Sequence, residues 1–65
     1  MTITLKQARK QSGLKTGYIC KFMGFSTAFL YGLESGLYPV SQENRVRFST
    51  IYGCKVTDIQ YAKTN

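Results

Sequence analysis

Apolar residues recur along this chain at spacings of three and four rather than two, the period of helices and not of strands. Gly13, Gly24, Gly36 and Gly53 interrupt the pattern, each after about one short helix's length, where C-terminal caps belong. The first segment, Thr4 to Ser12, has Leu5 and Ala8 on one side, with Lys6, Arg9 and Lys10 around them and Thr4 as its N-cap. The second, from Lys15 or Thr16 to Met23, puts Ile19, Cys20 and Met23 on a common face. The third, Thr27 to Ser35, has Ser26 as N-cap and Leu30 and Leu33 inward. The fourth, Gln42 to Tyr52, has Ser41 as N-cap and Phe48, Ile51 and Tyr52 on one side. The last, about Val56 to Ala62, offers Val56, Ile59 and Tyr61 for packing. Thr57 could cap a shorter version of it, and its β-branched residues also allow a short extended end. The pattern predicts an all-α fold, a compact five-helix bundle forming a single domain over residues 1–65.

Thr16 to Ser35 carries the most specific spacing. A helix-turn-helix joins two steeply crossing helices by a turn of three or four residues, and that geometry constrains side chains. A small residue must sit where the helices touch, and Cys20 stands there. Four residues on, the turn needs tolerance of positive φ, which Gly24 supplies. Phe25 can plug the turn from beneath. Leu30 and Leu33, three apart, face the second helix to the core, and Ile19 and Met23 complete the inward set.

Composition narrows the chemistry. The chain has 65 residues, 43% of them hydrophobic and 18% charged, the balance of a small globular domain. Nine Lys/Arg against three Asp/Glu leave a net charge of +6, which points to a polyanionic partner: nucleic acid first, an anionic membrane surface second. A membrane role would need a basic helix with a broad apolar face left over after packing, and these helices spend theirs on the core. Histidine is absent and the only acids are Glu34, Glu43 and Asp58, which leaves little for metal ligation or paired-carboxylate catalysis. No enzyme activity, cofactor, metal or small-molecule substrate is expected. Cys20 and Cys54 are far apart and in no CxxC spacing, so both read as reduced, small apolar residues of the core. With no membrane span and no export signal in view, an intracellular location is expected.

Leu5-Lys6-Gln7-Ala8-Arg9, Gly13-Leu14, the window just described, Glu34-Ser35-Gly36, Pro39, and Gly53 with Val56 and Ile59 resemble the Cro/CI-type (XRE) helix-turn-helix family of phage and bacterial regulators. The resemblance runs from residue 4 to about 61. It implies a lambda repressor-like five-helix domain whose third helix, about Thr27–Ser35, enters the DNA major groove. It also implies an ion pair between Arg9 of the first helix and Glu34 at the end of the third. Homodimerisation on paired half-sites and a place in the cytoplasm of a bacterial host follow by the same analogy.

The chain departs from the family where DNA would be touched. Thr16 stands where many members carry Gln, and Leu37-Tyr38 where Lys or Arg is common. The outward positions of the third helix are expected to be Thr27, Ala28, Phe29, Tyr31 and Gly32, none able to make bidentate pairs with guanine or adenine. Gly32 within a helix costs about 1 kcal/mol relative to Ala and suggests close approach to that face. Two explanations stand beside each other. Thr27, Ala28 and Phe29 could touch thymine methyls while Tyr31 and Tyr38 bond phosphates. Alternatively Phe29, Tyr31, Leu37 and Tyr38 form an apolar patch that docks on a CI-type repressor, as anti-repressors of similar type do. A plainer reading buries Phe29 or Leu37 against a neighbouring helix.

Among the cations, Lys15, Lys21 and Arg45 are the expected phosphate contacts, with Lys10 and Arg47 nearby and Lys55 and Lys63 solvated. The sequence thus predicts a regulator that binds double-stranded DNA, with repressor docking as the other function.

Overall fold

The computed structural model describes residues 2–62. Four α-helices account for most of it: α1 (Leu5–Ser12), α2 (Thr16–Met23), α3 (Thr27–Ser35) and α4 (Gln42–Tyr52). A two-residue strand, β1 (Ile3–Thr4), precedes α1; a 3-10 turn at Val56–Asp58 and a second short strand, β2 (Ile59–Gln60), follow α4.

Local chemistry explains the helix boundaries. Thr4 Oγ1 accepts from the Gln7 amide at 3.1 Å while Gln7 Oε1 accepts from the Thr4 amide at 2.8 Å, a reciprocal cap that starts α1. Ser26 and Ser41 do the same one-sidedly for α3 and α4, accepting from the Phe29 and Asn44 amides, each at 3.2 Å. Every helix ends at a glycine in the left-handed conformation. The one between α2 and α3 matters most. Gly24 has φ 75°, and its turn is closed by the Phe25 amide donating to the Cys20 carbonyl at 2.9 Å. Three residues, 24–26, therefore suffice to redirect the chain from α2 into α3.

The expected fifth helix over Val56–Ala62 is not formed. Asp58 accepts from the Lys55 amide at 3.2 Å and closes a single 3-10 turn, after which the chain is extended. Ile59 and Gln60 pair in parallel with Ile3 and Thr4, joining the two ends of the fold. Val56, Thr57 and Ile59 are β-branched and lose side-chain freedom in a helix, and Ile59 finds an extended β-branched partner in Ile3. The short extended end that this cluster allowed is the form it takes.

The core is one cluster: Leu5 and Ala8 of α1, Ile19, Cys20 and Met23 of α2, Leu30 and Leu33 of α3, Val40, Phe48 of α4 and Ile59. Val40, in the loop before α4, was not among the expected inward residues, whereas Ile51, Tyr52 and Tyr61 are only half-buried. No polar or charged residue is fully buried among those described. Both cysteines are free thiols. Cys20 is buried at the α2–α3 junction, its Sγ 3.9 Å from Thr27 Oγ1, while Cys54 is half-buried rather than in the core, and burial raises its pKa. None of the described helices is long and apolar enough to cross a membrane.

Tyr52 is the exception to a well-satisfied interior. Its ring stacks on Phe48 at 5.7 Å, yet its buried hydroxyl has no protein hydrogen-bond partner among the described residues. Burial, chiefly, raises its pKa, as it does for Tyr61, where Arg45 opposes the rise.

Two outcomes follow. Gly24→Val should lower stability by about 2 kcal/mol, because a β-branched residue resists positive φ. Gly24→Asn, tolerant of that conformation, should cost less in the same urea titration. Tyr52→Phe should leave stability unchanged or raise it by up to about 1 kcal/mol, since no hydrogen bond among the described residues is lost. A phenol whose pKa rises on folding keeps its proton in the native chain after the unfolded chain has lost it. Its contribution is therefore intact below about pH 10 and is lost as the pH climbs through the higher folded value. Stability should fall above pH 10, and less steeply in Tyr52→Phe.

Candidate functional site

α3, like the other helices, keeps one face in solvent. Along α3 the exposed residues are Thr27, Ala28, Tyr31 and Ser35, a stripe at helical spacing, while Leu30 and Leu33 point into the core. Lys15 immediately precedes α2 and Lys21 lies on it, both exposed; Thr16, the first residue of α2, is half-buried.

Two of the expected outward residues are not on this face. Phe29 is half-buried, packed edge-on against Phe25 at 4.8 Å and stacked on Tyr38 at 5.2 Å. Gly32 is buried: a Cβ there would meet the Tyr38 ring at 2.6 Å. The close approach that Gly32 permits is thus made by the chain itself. The Leu37 amide donates to the Gly32 carbonyl at 2.8 Å, which folds the loop back so that Tyr38 lies across α3. Leu37, by contrast, is 68% exposed, and Tyr38 keeps one edge in solvent at 41%.

The far end of α3 is fixed by charge. Arg9 Nε donates to Glu34 Oε2 at 2.7 Å and Nη2 to Oε1 at 3.4 Å, with the two side chains only 15% and 5% exposed. The guanidinium also lies over the Tyr31 ring, 5.5 Å from its centroid, and so orients the largest residue of the stripe. The hydrogen bond to Glu34 raises the Arg9 pKa still further above its ordinary value. Lys6 and Ser35 complete the walls of the shallow cleft around this pair.

Arg45 is not a free cation. Its Nε donates to the Val40 carbonyl at 3.2 Å and its guanidinium sits 4.6 Å from the centroid of Tyr61. It fastens the α3–α4 loop and the segment at Tyr61 to α4. Arg47 pairs with Glu43 at 3.0 Å on the surface, Lys10 and Lys55 are exposed, and Lys63 lies outside the described residues. No group of three or more Cys, Asp and Glu that could hold a metal is found among the described residues.

Tyr18 and Phe22, one helical turn apart on α2, are exposed on either side of Lys21 in sequence and were not singled out as candidates. The signal was available: with Ile19, Cys20 and Met23 inward, positions 18 and 22 must face out.

No family model, curated protein or solved structure matches this chain.

Arg9→Leu should cost about 3 kcal/mol, because the carboxylate of Glu34 is left buried without its partner. The double variant Arg9→Leu, Glu34→Leu should recover part of that loss in thermal unfolding, since no orphaned charge remains.

Proposed function

We propose that this protein is a DNA-binding transcriptional regulator of the Cro/CI type, a binding protein and not an enzyme. In this reading α2 and α3 form a helix-turn-helix within a lambda repressor-like domain whose fifth helix is reduced to a turn and a short strand. α3 enters the major groove of double-stranded DNA. The observation that carries the reading is the exposed stripe Thr27, Ala28, Tyr31 and Ser35 on α3, together with exposed Lys15 and Lys21 at the preceding α2, on a chain of net charge +6.

The roles divide by chemistry. Lys15 and Lys21 neutralise phosphates, and the α2 terminus at Thr16 offers amides to the same backbone. Thr27, Ala28 and Tyr31 face base edges, and the exposed edge of Tyr38 reaches a flanking phosphate. Arg45 acts chiefly through the loop it fastens. Paired half-sites would be met by a homodimer, and the cellular setting is the cytoplasm of a bacterial host, with the gene carried by a phage or other mobile element.

A second reading is favoured by one observation, the 68% exposure of Leu37 beside Tyr38 and Tyr31. Here the same fold docks on a CI-type repressor through that apolar edge. Phe29 then supports the patch from beneath instead of anchoring in the partner.

Titration of duplex DNA at several salt concentrations separates the two. DNA reading requires affinity that falls steeply with salt, and Lys15→Ala or Lys21→Ala should each lower the logarithmic salt slope by about one unit on all sequences alike. Weak, sequence-blind DNA binding, together with tight repressor binding lost in Leu37→Ala, would replace the first reading by the second.

A further inference from the structure

We infer that α3 reads thymine through its C5-methyl group, so that the preferred sites place A·T pairs under the first turn of this helix. The inference rests on the DNA-binding reading above and concerns what the uncovered stripe can distinguish.

Methyl, hydroxyl and phenol groups are presented there. Ala28 offers its Cβ. Thr27 is exposed, carries a γ-methyl, and accepts at Oγ1 from the Cys20 thiol at 3.9 Å. Ser35 returns its hydroxyl to the Gly32 carbonyl at 3.2 Å. The one guanidinium close to the stripe, that of Arg9, spends both Nε and Nη2 on Glu34 and holds Tyr31 from behind. Phe29 and Gly32 are withdrawn under Tyr38. No planar amide or free guanidinium on this face can bridge two acceptors of guanine or pair with adenine. Among the groups that base pairs show in the major groove, the thymine methyl is the apolar one, and it suits the small methyl-bearing side chains of Thr27 and Ala28 in the first turn. The net charge of +6, with Lys15 and Lys21 exposed at the neighbouring α2, favours a polyanion over an apolar protein surface as the occupant of this stripe.

The test uses the full chain and duplexes enriched from a random pool, with each thymine then replaced singly by uracil, which removes only the methyl. At one or more positions the replacement should weaken binding about fourfold, the worth of one buried methyl. Thr27→Ser deletes the matching methyl of the protein but keeps Oγ1, and Ala28→Ser changes polarity at nearly constant size. In one of these variants the thymine and uracil duplexes should bind equally. Circular dichroism melting of each variant reports whether it is folded. Sequence-selective binding indifferent to uracil at every position would overturn the inference and leave the DNA-binding reading intact. Failure to bind any duplex in a salt-dependent manner would overturn both.

Discussion

Helices of eight to eleven residues do not persist alone in water, so every element of this chain depends on burying its apolar side in one shared core. Phe48 occupies the middle of that core, fully buried and flanked by Phe25 and Tyr52. Around it α1, α2 and α3 each contribute two or three aliphatic or small residues. With so little area to bury, end effects carry unusual weight. Hydroxyl caps at Thr4, Ser26 and Ser41 satisfy amides that short helices cannot satisfy internally, and the glycines let the chain turn at once into the next helix. The parallel pair of β1 and β2 then ties the two ends of the fold together.

α3 is held at three places by three kinds of interaction. Leu30 and Leu33 anchor it to the core, the Arg9–Glu34 pair fixes its last turn to α1, and Tyr38 lies across Gly32. The helix is therefore rigidly placed although one side is open to solvent. A surface on a fixed helix can discriminate between ligands that differ by a single methyl, because it does not adjust to accept both. The same arrangement consumes the groups most suited to polar readout. Arg9 and Glu34 are spent on each other, and Arg45 on Val40 and Tyr61. What is left for a partner is mostly methyl, phenol and lysine.

Under the proposed function, those three kinds of group would divide the work of a DNA-binding surface. Lysines supply affinity that is independent of sequence, and methyls and phenols supply shape and apolar contact. Leu37 fits that division least, since a mostly exposed leucine contributes nothing to phosphate contact. It is the residue at which a protein partner would be felt most directly.

Helix limits were legible in the sequence because they rest on local chemistry: caps, glycines and a period near three to four occur within a few residues of each other. The inward faces of α1, α2 and α3 followed from the same period, and the Arg9–Glu34 pair from the resemblance to Cro/CI-type proteins. Tertiary structure decided the rest. Val56–Ala62 carries helical spacing, but β-branched residues close to the extended Ile3 and Thr4 favour pairing, and only the fold brings those termini together. Phe29 and Gly32 read as outward because periodicity places them off the buried face. It says nothing of a loop that folds back, and Tyr38, nine and six residues further on, covers both. For Arg45 the sequence counts a charge, and only the closed fold brings Val40 and Tyr61 against its guanidinium. Short-range order was written in neighbouring residues, whereas the exposed surface is what remains after distant segments have packed.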